Sequence, residues 1–170
     1  YDTHQYTNIR YPFPFDPPYV PQDIPCGAYV HNFEYSRDEK ASKAFLNFEG
    51  VDSCFYVWLN GFYVGYSQVS HMTSEFDITD LLQDGANTIA VLVMKWCDGS
   101  YLEDQDKFRM SGIFRDVYIL KRPNQAISDY HIKTRIEDML AKVELDVKFY
   151  SPVNVKISIE DENGAVVAVG

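Results

Sequence analysis

Three cysteines are too few, and too widely spaced, to organise this chain. Cys26, Cys54 and Cys97 match neither a disulfide framework nor a zinc site. Three free thiols are expected, with a single bridge as the alternative, in a reducing or disulfide-poor compartment. Basic residues are scarce as well, 15 against 25 acidic, and no basic run interrupts the sequence. The net charge of −10 repels phosphate, which argues against nucleic acid and anionic membranes as partners. No apolar stretch approaches the roughly 20 residues that a membrane-crossing helix needs. Phosphate-cradling glycine loops, HExxH, GxSxG and close Cys/His pairs are all missing. His4, His31, His71 and His131 stand far apart, and in alternating strands a histidine is ordinarily a packing or surface residue. There is no internal repeat, low-complexity tract or long amphipathic helix. The chain opens on Tyr1, with neither Met nor a charged-then-apolar leader, so its original amino terminus is expected upstream.

What is present points to strands. Hydrophobic residues make up 46% of the chain, enough for a core, and aromatics reach 15%, which suits half-buried sheet faces. Six of the eight prolines lie between Pro12 and Pro25, interleaved with Phe13, Phe15, Tyr19 and Val20. Proline cannot donate to a ladder, so this segment is expected to lie extended and pinned along a surface. Tyr29, His31, Phe33 and Tyr35 alternate with Val30, Asn32 and Glu34, a strand pattern. Ala44 to Phe48 is a second strand. Cys54–Leu59 and Phe62–Tyr66 flank Asn60-Gly61, a dipeptide suited to the positive φ angles of a type I′ hairpin turn. Ser74–Asp77 is short and extended, and Ile78–Leu82 has room for one helical turn. Thr88 to Trp96 is a nearly unbroken apolar run, as in a strand covered on both faces. A polar loop is expected from Asp98 to Arg109, then a strand from Ile113 to Leu120. Lys121–Ala126, with Pro123, reads as a linker. Beyond it, segments 127–135, 142–149, 153–160 and 165–169 have the short spacing of an immunoglobulin-like sandwich, which needs about seven strands.

One segment concentrates acid. Asp98, Glu103, Asp104 and Asp106 fall within the nine residues 98–106, between two apolar strands. Loops held by rigid strands are where sites tend to sit. The bland alternative is a solvated loop whose charges are partnered by Arg109 and Arg115. A further reading makes Glu103 and Asp106 themselves a catalytic pair, but two carboxylates so close in one loop seldom hold the opposed geometry that hydrolysis requires.

The stretches YTNIRYPFPFDPPYVP, FEGVDSCFYVWLNGFYVGYSQ, SEFDITDLL and DGSYLEDQDKFRMSGIFRDVYIL resemble the amino-terminal part of the β-galactosidases of glycoside hydrolase family 2. The LNGxxVG hairpin followed by EFDIT is shared across much of that family, whereas the SYLEDQD…SGIFRDV string is more specific to β-galactosidases. The resemblance implies an all-β chain. Residues 1–122 would form a jelly-roll (galactose-binding-like) sugar-binding sandwich, short of its first strands. Residues 123–170 would start an incomplete immunoglobulin-like sandwich. It implies that the parent is a retaining β-galactosidase acting on terminal β-D-galactosides such as lactose, whose two catalytic glutamates lie on a later barrel, so that this chain alone is inactive. It further implies that Asp106 binds galactose hydroxyls and helps to ligate sodium, that Asn8 shapes the pocket rim, and that magnesium ligands lie outside this chain. Lys107 departs from the apolar residue that relatives often carry there. The expected partners are a β-galactoside and the rest of the parent chain, the parent being a homo-oligomer in the cytoplasm or periplasm. A free-standing carbohydrate-binding module is the alternative.

Overall fold

The computed structural model describes residues 3–8, 10–103 and 106–170, with Lys107 through its backbone alone. The chain divides into two compact units, Tyr1–Arg122 and Pro123–Gly170.

The first unit is an antiparallel sandwich. Its strands are β1 (Gln5–Thr7), β2 (Cys26–Tyr35), β3 (Lys43–Phe48), β4 (Val51–Asp52), β5 (Cys54–Leu59) and β6 (Phe62–Ser67). They continue with β7 (Ser74–Asp77), β8 (Gly85–Met94), β9 (Lys107–Arg109), β10 (Gly112–Ile113) and β11 (Val117–Arg122). One sheet has the order β2-β8-β5-β6 and the other β11-β3-β7, with β1-β9 and β10-β4 as short separate ribbons. The alternation of β2 turns Phe33 and Tyr35 toward the interior, where they meet Leu46, Phe48, Phe55, Val57, Leu59, Val91 and Val93. Successive strand side chains point to opposite faces, so these inward residues share one core.

The expected hairpin is there: Asn60 and Gly61 both have positive φ, 52° and 83°. Asn60 also does a second job. Its side chain donates to the Leu81 carbonyl (3.1 Å) and Asn87 Oδ1 (2.8 Å), and its Oδ1 accepts from Thr88 N–H (2.9 Å), tying the hairpin to the start of β8. Residues 79–81 form a hydrogen-bonded turn in which the Ile78 carbonyl accepts from Leu81 and Leu82.

Two expectations need correction. Residues 98–109 are not simply a loop, because Asp98–Tyr101 forms a 3-10 turn and Lys107–Arg109 forms β9. The strand foreseen from Ile113 to Leu120 is split, since β10 pairs with β4 while β11 pairs with β3. The intervening residues bend around Gly50, where an added β-carbon would meet the Phe114 ring at 2.8 Å.

The proline-rich segment carries no strand and is pinned as expected. Phe13 is buried, stacking edge-on against Trp96 (5.1 Å) and Tyr101 (5.3 Å), and the Tyr101 hydroxyl donates to the Tyr19 carbonyl at 2.6 Å. An apolar groove follows the edge strands β2 and β11 of the two sheets, with His31, Ile89 and Val117 along its length.

The second unit holds two antiparallel ladders, β12 (Ile127–Glu137) with β13 (Leu140–Phe149), and β14 (Ser158–Glu160) with β15 (Val166–Val169). Asp138 and Met139, both at positive φ (49° and 66°), make the two-residue turn between the first pair. Of the segment 153–160, Ser158–Glu160 alone joins a ladder, although Ile157 exchanges two backbone bonds with Gly170.

Candidate functional site

The candidate site grows from a ribbon of three residue pairs. β1 and β9 pair antiparallel over Gln5↔Arg109, Tyr6↔Phe108 and Thr7↔Lys107. Extending that register by one step sets Asn8 opposite Asp106. Because alternate residues share a face, Tyr6, Asn8, Asp106 and Phe108 project together. Tyr6 and Phe108 are 56% and 57% exposed, with ring centroids 5.5 Å apart, and His4 meets the edge of Phe108 at 5.8 Å. The Tyr6 hydroxyl donates to Asp106 Oδ1, and Asn8 Nδ2 donates to the same hydroxyl at 3.4 Å. The carboxylate bond, the largest influence on Tyr6, raises its phenol above the ordinary tyrosine value. An open depression lined by Tyr6, Asn8, Arg10, Tyr11 and Pro12 adjoins this face.

The opposite face of the ribbon is locked inside. Thr7 is buried, and Arg109, only 1% exposed, donates through Nε to Thr7 Oγ1 (3.0 Å) and through a terminal nitrogen to the Ser100 carbonyl (3.1 Å). One guanidinium therefore joins β1, β9 and the 3-10 turn, a task for which its planar fork of donors is suited. Ser100 is itself held by Ser53, hydroxyl to hydroxyl at 2.8 Å, and accepts from Cys97 N–H at 3.1 Å.

The acidic segment has more than one role. Glu103 accepts from Ser70 N–H and from Ser70 Oγ, both at 2.9 Å, and so ties the loop to residues 68–73. Asp98 accepts from the Gly99 N–H at 2.9 Å. Asp104 lies outside the described residues. Arg115 reaches the His71 carbonyl at 3.4 Å and lies over the Phe114 ring. Glu103 and Asp106 thus engage separate partners, Ser70 and Tyr6, which gives no support to a catalytic pair within the loop.

Beneath the loop, Cys54 and Cys97 meet, and all three thiols are free. The neighbouring Cys54 thiol, helped by the Ser53 and Ser100 hydroxyls and opposed by burial, lowers the Cys97 thiol to about 6. The Cys54 thiol shifts upward, chiefly through the neighbouring Cys97 and then through burial.

The sequence-predicted Asn8 and Asp106 are thus brought together, with Tyr6 as the unforeseen bridge. The signal was available: Tyr6 and Asn8 are two apart, the spacing of one strand face. Arg109 entered the sequence reading only in the alternative of a solvated loop, as a partner of its acids, and its role beneath the ribbon was missed. A buried arginine carries no local sequence mark. For a cation, the face offers the Asp106 carboxylate and the Tyr6 hydroxyl as oxygen donors, which suit a hard ion in kind. Among the described residues no cluster of three or more His, Cys, Asp or Glu side chains could close such a site alone.

Residues 1–123 match the family described as "Glycosyl hydrolases family 2, sugar binding domain". The chain is 51% identical over 170 residues to a β-galactosidase of Actinobacillus pleuropneumoniae, covering 98% of this chain and 17% of that protein. It is 53% identical over 156 residues to a β-galactosidase of Staphylococcus xylosus, covering 92% of this chain and 16% of that one. The chain therefore spans about one sixth of the length of these relatives. Among solved structures, a β-glucuronidase from an uncultured Clostridium species superposes with a TM-score of 0.67 at 24% identity, over 87% of this chain and 28% of that one, and so shares the fold. With a matching family model over most of its length and curated relatives at half identity, the chain belongs to glycoside hydrolase family 2, with residues 1–123 as its sugar-binding domain.

Proposed function

We propose that this chain is the amino-terminal part of a retaining β-galactosidase that hydrolyses terminal β-D-galactosides, and that its exposed β1–β9 face forms one wall of the substrate pocket. The observation that carries this reading is the convergence of Asn8, Tyr6 and Asp106 on one exposed face of a locked ribbon, in a chain half identical to proteins named β-galactosidase.

In this reading Asp106 accepts hydrogen bonds from sugar hydroxyls, Tyr6 holds its carboxylate in orientation, and Asn8 presents an amide to the rim. These groups bind and orient; they do not break the glycosidic bond. Retention needs two carboxyl groups roughly 5–5.5 Å apart, supplied by glutamates of a later barrel. A sodium ion, where bound, would be held in part by Asp106 with the Tyr6 hydroxyl nearby, and supplies charge to orient hydroxyl groups. Its remaining ligands come from elsewhere in the full-length protein. The apolar groove along β2 and β11 supports the reading that upstream strands complete the sandwich.

The test is Asp106→Asn in the full-length enzyme. A charge-assisted hydrogen bond contributes about 1.5–3 kcal/mol, so kcat/KM for a nitrophenyl β-galactoside is expected to fall roughly tenfold to over a hundredfold, with a weakened response to sodium and an unchanged melting temperature. The 170-residue chain alone is expected to show no turnover. Full activity of the variant at every sodium concentration overturns the role of Asp106.

A further inference from the structure

The outward face of the four-stranded sheet is unusual for a chain with 24% charged residues. The residues of β5 that alternate with the core side chains Phe55, Val57 and Leu59 are Cys54, Tyr56 and Trp58, and these point outward. Their neighbours are Tyr66 opposite Tyr56, Tyr63 opposite Trp58, Leu92 and Ala90 on β8, and Val30 on β2. From Val30 to Tyr66 this face presents no charged side chain. Tyr63 is 56% and Val30 71% exposed. An outward face of an antiparallel sheet ordinarily alternates to polar residues when it meets water. Soluble monomers rarely expose contiguous apolar patches beyond a few hundred Å².

One end of this face is covered by the chain itself. Cys54 points outward yet is 0% exposed, because Cys97 and Tyr66 lie against it. The apolar surface carries on past the covered part as far as Asn32 and Thr88, whose side chains are hydrogen-bonded at 2.7 Å. Its rings do not form a flat shelf: Tyr56 meets Trp58 at 30°, Tyr66 at 47°, and Trp58 meets Tyr63 at 60°. A sugar ring stacks on a flat aromatic surface, whereas a corrugated one offers gaps that protein side chains fill, as in a packed interior.

We infer that the Tyr56–Trp58–Tyr63–Tyr66 face is an internal docking surface, occupied in the full-length protein by apolar side chains of another domain of the same polypeptide. The inference rests on the reading above, that this chain is about one sixth of a longer enzyme, which leaves ample chain to cover the face. An intramolecular partner also fits the charge balance, since two copies at −10 each repel one another while a tethered domain is held nearby.

Thiol accessibility tests it. Tyr63→Cys and Val30→Cys, at opposite ends of the face, are each made in a Cys26→Ser background to remove the exposed native thiol. In the 170-residue chain both should react with a bulky maleimide at the rate of an exposed thiol. In the full-length protein the same thiols should react at least tenfold more slowly. Equal rates in the two forms overturn the inference. Protection that appears in the short chain and grows with its concentration assigns the face to a second copy and also overturns it. The same full-length samples are assayed on a nitrophenyl β-galactoside. Activity with equal labelling rates sinks the docking surface alone, whereas protection without activity sinks the enzymatic reading alone.

Discussion

Replacing Arg109 by Met keeps most of the side-chain volume and removes the charge and the guanidinium donors. In the folded chain Arg109 is almost wholly buried and satisfies Thr7 Oγ1 and the Ser100 carbonyl. Each buried group left without its partner costs about 1–3 kcal/mol, so the variant is expected to lose roughly 2–5 kcal/mol. A domain of this size loses roughly 3–5 °C of melting temperature per kcal/mol, which predicts a fall of about 6–25 °C. The loss should be local first. β1 has only three paired residues and is held from below by this one guanidinium, so amide exchange at Gln5–Thr7 should accelerate before that of β5 or β8. Arg109→Lys is the informative control. It keeps the charge but cannot bridge two directions with a planar fork, so it should recover little. Calorimetry and hydrogen exchange on the 170-residue chain measure both quantities. If Arg109→Met melts within about 2 °C of the parent and β1 exchanges at the parental rate, the reasoning that this arginine locks the ribbon is wrong.

Gly65→Ala should destabilise the sandwich by about 1–3 kcal/mol, because the new methyl would lie 2.6 Å from the Phe76 ring; urea unfolding reads this, and trimming Phe76 to Leu in the same chain should restore part of the loss. The Cys54–Cys97 pair predicts a pH dependence. With Cys97 lowered to about 6 from an ordinary value near 9, the folded state binds fewer protons than the unfolded state between those limits. Stability should therefore rise with pH across that window and decline as pH falls toward about 6. Cys54, shifted upward, acts in the opposite sense above about 9. Cys97→Ser should abolish the rise, and an unchanged urea midpoint from pH 6.5 to 8.5 in the parent chain would contradict it.

Local pattern carried the sequence reading a long way in the sandwich. The alternation of β2, the Asn60-Gly61 turn and the apolar run of β8 are short-range signals, and each has its counterpart in the structure. The candidate site was legible only through resemblance. Asn8 and Asp106 lie 98 positions apart, and nothing in either neighbourhood says that a three-residue ribbon joins them. Tyr6 has the same handicap, and Arg109 looked like a surface counter-ion because its burial depends on contacts from distant segments. Cys54 and Cys97 met for the same reason, since the 3-10 turn folds back over the sheet. Charge told against itself in the acidic segment: Glu103 faces a buried serine rather than solvent.

The pairing of β1 with β9 also sets an order of events. Closing a loop of about 100 residues costs on the order of 4 kcal/mol in chain entropy, more than three residue pairs can offset by themselves. The ribbon must wait until the sandwich has folded and shortened the path between its ends. Thr7 then meets Arg109 only after the hairpin at Asn60 and the long β2–β8 ladder are in place. During synthesis, the segment bearing Asn8 leaves the ribosome early and stays without its counterpart until residue 109 has followed. A slow step in ribbon closure should thus delay the ligand-facing surface without delaying the core, and refolding followed by ring contacts at Tyr6 should lag behind refolding followed by Trp58 of β5.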